Sequence, residues 1–210
     1  MHYLYLHGFC SGADSFKGSY FRERFAEQGR TLHTPDLNGD DFEHLTMTGQ
    51  LALIRELAAS LPGKLTVLGS SMGAYLAALF AEEEPRVSRL VMIAPAFGFA
   101  ARREAELDPG VLETWREKGY LEIYHYAYQK TCRLHYGILD DARQYDRRSL
   151  QRRLPALLIH GLRDDSVDYR LSIDYLEHHP GAELLLLNGD HTLTDEVGRL
   201  WSHLRRFLDL

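Results

Sequence analysis

The sequence has little cysteine and no long apolar run, and both shortages exclude classes of protein. Its two cysteines, Cys10 and Cys132, lie far apart among 210 residues, so we expect no disulfide framework and a reducing compartment. No apolar stretch approaches the roughly 20 residues that a membrane-spanning helix needs. The first residues lack the basic region and apolar stretch of a signal peptide. We therefore expect a cytoplasmic protein without a membrane span.

Positive charge is also in deficit. Lys and Arg number 24 against 30 Asp and Glu, and the resulting formal charge of −6 disfavours nucleic acid and anionic membranes as partners. The 11 histidines form no His-Glu-x-x-His motif, and the chain has no Cys-x-x-Cys or glycine-rich dinucleotide motif. We expect no metal and no cofactor, and the oligomeric state stays open.

The most informative stretch that is present is Gly69-x-Ser71-x-Gly73, which follows an apolar run and precedes an alanine-rich segment. It matches the nucleophile elbow, a strand-turn-helix corner that raises a serine hydroxyl above the end of a parallel sheet. Side chains in place of the two glycines would collide with the neighbouring strand and helix. A chain of this length gives about 0.07 chance matches, so the surrounding sequence has to supply the context.

Short apolar runs alternate with amphipathic segments along most of the chain. This alternation predicts an α/β fold with a mostly parallel sheet of about six strands, covered by helices on both faces. We interpret residues 1–95 and 154–210 as the core of a single domain. Residues 96–153 carry many charges and tyrosines, and we interpret them as an inserted cap, helical at first and then a hairpin.

The end of the chain predicts one more amphipathic helix. Apolar residues recur at helical spacing from Leu193 to Leu208. Thr192 and Asp195 have the spacing of a capping box, which would place the helix start at Leu193.

Four of the predicted strands end in residues that could act together, because the carboxyl ends of parallel strands share one edge of a sheet. Ser71 would be the nucleophile, His191 its general base, and an aspartate would orient the histidine ring. The backbone N–H groups of Phe9 and Met72 would bind the oxyanion that forms during acyl transfer. The order serine, acid, histidine is the one expected for an elbow serine.

These strand ends resemble the four signature sites of the α/β-hydrolases. The resembling stretches are Leu6–Phe9, Gly69–Gly73, His160–Val167 and Gly189–His191. The resemblance covers almost the whole chain outside the cap, in a compact form that lacks the leading antiparallel strands. It is similar to small bacterial esterases and to acyl-thioesterases related to the mitochondrial depalmitoylating hydrolase. It implies a serine hydrolase that cleaves a small-molecule carboxylic ester or acyl thioester through an acyl-enzyme.

The resemblance also assigns the acid. The family pattern H-G-x-x-D-x-x-V-P maps it to Asp164, but Asp168 stands where proline is usual, so Asp165 is kept as a second candidate. Ser70 occupies a variable position of the elbow and is not expected to react. His7 and His160 each precede a glycine at a strand end, and we expect them to hydrogen-bond loops.

The substrate contacts are less defined by the sequence. We expect the cap to form one wall of an apolar cleft, with Phe9, Phe97, Phe99 and Met72 as candidate lining residues, and Cys10 as a small buried filler. Two alternatives stay open. One is other α/β-hydrolase chemistry, carbon–carbon bond hydrolysis or lipase-like activity. The other is a non-catalytic binding module, which an intact Ser-Asp-His set disfavours.

Overall fold

The computed structural model describes residues 1–210 as a six-stranded sheet, a two-stranded hairpin and eight helices. The sheet contains β1 (His2–Leu6), β2 (Leu32–His33), β3 (Leu65–Ser70), β4 (Val87–Ile93), β7 (Ala156–Gly161) and β8 (Ala182–Leu187), and the hairpin contains β5 (Tyr120–His125) and β6 (Lys130–His135). The helices are α1 (Phe16–Glu27), α2 (Met47–Ala59), α3 (Met72–Glu83), α4 (Phe99–Glu106), α5 (Pro109–Lys118), α6 (Gly137–Asp146), α7 (Arg170–His178) and α8 (Val197–Leu208).

All six strands of the large sheet run parallel, in the order β2-β1-β3-β4-β7-β8. The predicted α/β fold with a parallel sheet is confirmed. Every residue of β3 and β7 is buried, because helices cover both faces and leave no strand side to solvent. The order places the carboxyl ends of β1, β3, β7 and β8 along one edge.

Side chains alternate between two apolar layers along each strand. In β1, Leu4 and Leu6 join a layer of 37 buried residues with α2, α3 and residues of α4–α7. Tyr3 and Tyr5 point to the opposite layer, which has 15 buried residues and is closed by α1 and α8. Helix α3 is buried from Met72 to Ala81, as its alanine-rich composition predicts, because small side chains let it lie close to the sheet.

Residues 96–153 contain α4, α5, the β5–β6 hairpin and α6. The predicted order of helix followed by hairpin is confirmed, whereas α6 was not predicted from the sequence. Trp115 joins α5 to the hairpin, since its indole N–H donates to the carbonyl of Leu134 at 2.9 Å. This part of the chain is called the 96–153 segment.

The predicted start of the last helix is wrong. Helix α8 begins at Val197 rather than at Leu193, and no capping box forms. The Thr192 hydroxyl instead donates to the carboxylate of Asp190 at 2.8 Å, in a turn that includes Leu193 with a positive φ of 51°. The eight helices have at most 13 residues, and none is long and apolar enough to cross a lipid bilayer.

Candidate active site

Ser71 stands alone between β3, which ends at Ser70, and α3, which begins at Met72. Its backbone has φ 55° and ψ −119°, a conformation that non-glycine residues adopt only when their surroundings hold them there. Both sides of its backbone are held. Its N–H donates to the carbonyl of Ile93 at 2.8 Å, and its carbonyl accepts from Ala96 at 3.1 Å.

The two elbow glycines have the predicted steric role. A Cβ on Gly69 would lie 2.3 Å from the carbonyl oxygen of Gly73, and a Cβ on Gly73 would lie 2.1 Å from the carbonyl oxygen of Leu6. Both distances are far below a normal contact, and the opposing atoms belong to backbone. The start of α3 can therefore lie against β1 and β3 only because both positions lack a side chain.

The structure separates the two serines of the elbow. Ser70 belongs to the sheet and is only 5% exposed. Ser71 is half-buried, and its Oγ lies 3.2 Å from Nε2 of His191. Only Ser71 is therefore open to both a base and solvent.

His191 connects Ser71 to Asp164. Its Nδ1 lies 2.8 Å from Oδ2 of Asp164, so the ring carries its proton on Nδ1 and leaves Nε2 to accept from the serine hydroxyl. The side chain of Asp164 is fully buried, whereas that of His191 is 25% exposed. The three groups form a hydrogen-bond chain that runs from a buried carboxylate to a half-buried hydroxyl.

Asp164 is held as a carboxylate. Its Oδ1 accepts backbone N–H bonds from Ser166 at 2.9 Å and from Val167 at 2.8 Å. Burial alone would raise its pKa, but hydrogen bonds from His160 and His191 outweigh burial and hold the pKa well below the ordinary range. Asp165 is exposed and accepts only from the Ser166 hydroxyl, at 3.1 Å. Asp164 is therefore the carboxylate that the structure brings to His191.

His160 lies behind that carboxylate. Its Nε2 is 3.0 Å from the carbonyl of Val167 and 3.2 Å from Oδ2 of Asp164, and its Nδ1 is 2.7 Å from the Ser172 hydroxyl. The loop contact fits the predicted structural role. The contact with the acid was missed by sequence reasoning, although the i, i+4 spacing of His160 and Asp164 after a strand end is a signal that could have indicated it.

The loop that carries His191 is fixed from two sides. The Asp190 carboxylate accepts from the backbone N–H groups of Thr192 and Leu193, each at 2.9 Å. The Lys17 ammonium, from α1, donates to the carbonyl of Thr192 at 2.7 Å. Burial lowers the pKa of Lys17 to about 8, against the opposing pull of the Asp190 and Asp164 charges. Nothing in the sequence indicates that Lys17 reaches this loop.

His7 sets the orientation of the Gly8–Phe9 peptide. The buried His7 ring accepts from the N–H of Leu37 at Nε2, 2.8 Å away, so its Nδ1–H donates to the carbonyl of Gly8 at 2.9 Å. In a trans peptide the carbonyl and the next N–H point in opposite directions, so the Phe9 N–H points away from His7. It has no acceptor within the chain.

Gly8 brings this peptide close to Ser71. A Cβ on Gly8 would lie 3.3 Å from Cβ of Ser71 and 4.0 Å from its Oγ. Met72 is the first residue of α3, and its N–H is one of the donors that a helix start leaves without a partner. Phe9 thus follows a glycine that lies against Ser71, and Met72 follows Ser71 itself, and neither backbone N–H has an acceptor within the chain.

The aromatic residues around Phe9 form one side of the site. The Phe9 ring lies 5.6 Å from Phe99 and 6.3 Å from Phe42, measured between centroids. Phe97 packs elsewhere, stacked on Tyr175 at 5.3 Å and edge-on to Tyr75 at 5.7 Å. The three phenylalanines predicted to line the cleft are therefore divided between two aromatic groups, with Phe9 and Phe99 in one and Phe97 in the other. The fourth predicted lining residue, Met72, is buried at the start of α3.

Other reactive groups take no part in this arrangement. Burial raises the pKa of the Cys10 thiol to about 12, so this cysteine is protonated and suits a filler role. No group of three or more His, Cys, Asp or Glu side chains is placed to hold a metal ion.

Comparisons with known proteins agree with this fold. A model of the uncharacterised protein family UPF0227 matches residues 2–209. A presumed hydrolase from Agrobacterium vitis S4 superposes with a TM-score of 0.83 at 23% identity, over 97% of this chain and 86% of its own. The α/β-hydrolase domain-containing protein 10 from mouse gives 0.81 at 20% identity, over 99% and 89%.

A third similar structure is Est1E from Butyrivibrio proteoclasticus, with a TM-score of 0.69 at 19% identity over 95% of this chain and 86% of its own. At these identities the likeness establishes the α/β-hydrolase fold alone. No curated protein sequence matches the chain.

Proposed function

The chain belongs to the family UPF0227 and has the α/β-hydrolase fold, and on that premise we propose that it is a serine hydrolase of carboxylic esters or acyl thioesters. One observation carries the proposal. The hydrogen-bond chain from Ser71 through His191 to Asp164 starts at a strained elbow serine that a base can reach. A protein that only binds a ligand would not need a serine, a histidine and an aspartate joined by hydrogen bonds in this order.

In the proposed reaction, Ser71 attacks the acyl carbon of the substrate. His191 takes the hydroxyl proton as the Ser71 Oγ–carbon bond forms, and then gives it to the leaving alcohol or thiol. Water repeats the attack on the acyl-enzyme, again with His191 as base, and releases the acid and free Ser71. Asp164 stays ionised throughout and stabilises the imidazolium, which its low pKa supports.

The oxyanion would lie between the N–H groups of Phe9 and Met72. Each such donor is worth about 3–4 kcal/mol of transition-state stabilisation when it is pre-oriented. The His7 bond to the Gly8 carbonyl supports this role, because it holds the Phe9 peptide in one orientation before substrate binds.

We interpret the 96–153 segment as the cap, with α4 as the part that closes over the acyl group. The contact of Phe99 with Phe9 supports this interpretation. Phe9 and Phe99 are then the proposed lining of the acyl cleft. Similar structures include Est1E with bound ferulic acid and the lipolytic enzymes LipS and LipT, which is consistent with an ester or related acyl substrate.

The test compares wild type with Ser71→Ala, using Ser70→Ala as the neighbouring serine control. A fluorophosphonate label should modify wild type and Ser70→Ala but not Ser71→Ala. The same two proteins should hydrolyse p-nitrophenyl butyrate or S-butyryl-N-acetylcysteamine, whose relative rates decide between ester and thioester. A wild type that neither labels nor turns over either compound contradicts the proposal, and full activity in Ser71→Ala contradicts the choice of nucleophile.

A further inference from the structure

Helix α4 presents two side chains to the Phe9 ring. Phe99 and Arg103 are four residues apart, so they share one face of the helix. The Phe99 ring lies 5.6 Å from the Phe9 ring, and the central guanidinium carbon of Arg103 lies 5.7 Å from it. A cation therefore lies near the aromatic ring of Phe9, the residue that follows Gly8 at the elbow.

The other charged side chains of α4 are already engaged. Glu104 accepts from Arg143 of α6. Arg102 donates to Glu106 at 2.7 Å and also to the carbonyl of Ser166, beside the acid loop.

Arg103 differs from its neighbours in this respect. Its nearest carboxylate is the second oxygen of Glu106, at 3.6 Å, and Glu106 is shared with Arg102. Arg103 makes no side-chain hydrogen bond in the chain, and its side chain is 41% exposed. Its charge is balanced only in part, and its guanidinium N–H donors make no hydrogen bond within the chain.

We propose that Arg103 forms a subsite for an anionic group of the substrate, a carboxylate or a phosphate. This inference rests on the proposed function, because it extends the same cleft. A planar guanidinium pairs with carboxylate or phosphate through two parallel hydrogen bonds. The side chains of Phe9, Phe42 and Phe99 are uncharged, so Arg103 is the residue in this aromatic group that could pair with an anion. The chain as a whole carries −6, so a local cation is needed to favour an anion there.

The anionic group could belong to the acyl part or to the leaving group, and two pairs of substrates separate these cases. For the acyl part, the p-nitrophenyl monoester of adipic acid is compared with p-nitrophenyl heptanoate. For the leaving group, 4-(butyryloxy)benzoate is compared with phenyl butyrate. Each kcat/KM is divided by the rate constant of hydroxide-catalysed hydrolysis of the same ester, which removes differences in intrinsic reactivity.

We expect wild type to favour the anionic member of one pair by about tenfold, mostly through KM, because a charge-assisted contact to a half-exposed guanidinium is of that strength. Arg103→Gln should abolish the preference and leave the neutral ester near the wild-type rate. Arg103→Lys should keep part of it, since lysine retains the charge without the planar fork. Arg205→Gln, an exposed arginine on α8, is the control and should keep the full preference.

The outcomes distinguish the two proposals. If wild type hydrolyses none of the four esters, the subsite is overturned, and the proposed function fails with it only if wild type also neither reacts with the fluorophosphonate nor hydrolyses the butyryl thioester. If wild type hydrolyses them without a charge preference, or if Arg103→Gln slows neutral and anionic esters equally, the subsite is overturned while the proposed function stands. A preference that is lost in Arg103→Gln and kept in Arg205→Gln supports the subsite.

Discussion

The parallel sheet and the 96–153 segment share one apolar core but differ in how far polar side-chain pairs add to it. In the sheet, β3 and β7 are buried at every position, and apolar side chains fill both faces. The segment shares part of this core, and polar pairs with distant elements add to its placement. Asp141 accepts from the Thr48 hydroxyl, and Asp146 accepts from the Tyr75 hydroxyl at 3.1 Å.

This difference matters for the site, because the site uses both regions. Ser71, Asp164 and His191 stand on the ends of sheet strands, where burial fixes the backbone. Phe99 and Arg103 stand on α4, which is held by directional contacts as well as by apolar packing. We therefore expect changes to the sheet edge to affect chemistry and overall stability, and changes to the segment to affect substrate contacts first.

The largest expected effect is on catalysis at the sheet edge. Asp164→Asn should lower kcat about 10⁴-fold on any ester that wild type hydrolyses, because the amide favours the wrong tautomer of His191. Asp165→Asn, with a side chain in solvent, should stay within a few-fold of wild type. Steady-state kinetics with both variants measure this. A greater loss in Asp165→Asn would reverse the assignment of the acid.

The next effect is on the stability of the sheet. Gly73→Ala places a methyl group against the Leu6 carbonyl and should cost at least about 3 kcal/mol of unfolding free energy, or prevent folding. Gly198→Ala is the matched control, because a Cβ on Gly198, which lies in α8, would have no neighbouring atom within 4 Å. Alanine should stabilise that helix by up to about 1 kcal/mol. Urea titration followed by circular dichroism gives both values, and equal losses would refute the steric argument.

A smaller, local effect is expected in the segment. The Asp146 carboxylate accepts from Tyr75 at 3.1 Å and from the N–H of Ala101, at the start of α4, at 3.0 Å. Asp146→Ala should cost about 2 kcal/mol, because it leaves both donors without their partner. Hydrogen exchange should rise in α4 and α6 and change little in β3 and β7.

The control for that experiment lies on the same helix. Asp140 pairs only with Arg143, three residues on, and its side chain is 62% exposed. Asp140→Ala should therefore change stability by less than about 1 kcal/mol. If Asp146→Ala speeds exchange uniformly across the sheet as well, the sheet and the 96–153 segment unfold as one unit, which contradicts a local effect.

The smallest expected effect is on the pH dependence of the free energy of unfolding. The pKa of Lys17 is about 8 in the folded protein, below its usual value of 10.5, so the unfolded chain binds this proton more tightly. Deprotonation therefore favours the folded state. The stability of wild type relative to Lys17→Met should rise by about 1–2 kcal/mol between pH 7.5 and 9.5. Chemical denaturation at the two pH values measures the difference, and a flat or falling difference would contradict a depressed pKa.

The sequence was informative where structure depends on periodicity and on steric requirements at single positions. Apolar runs predicted the six strands, and the spacing of Gly69 and Gly73 predicted the elbow. Both follow from local rules that any parallel sheet obeys. The strand ends also predicted Ser71, an aspartate and His191 on one edge, whereas the choice of Asp164 over Asp165 came from the family resemblance.

Contacts between distant side chains were not predictable in the same way. Lys17 reaches Thr192 across 175 positions, and no local pattern indicates which loop a lysine on α1 will contact. Helix α8 starts late because the Asp190 carboxylate accepts from the Thr192 N–H, which a capping box would pair with Asp195, and also from the Leu193 N–H. Arg103 is distinguished from Arg102 only by what surrounds it in three dimensions.

The strand order affects the order in which parts of the molecule fold. The Ser71–His191 hydrogen bond closes a loop of 120 positions, and His191 follows β8, the edge strand that pairs only with β7. Contacts of such sequence separation form slowly, because chain entropy opposes their closure. The elbow can thus be complete in a folding intermediate that has no base beside its serine. In refolding kinetics, we expect fluorophosphonate reactivity to lag behind the recovery of sheet structure and to follow the docking of β8.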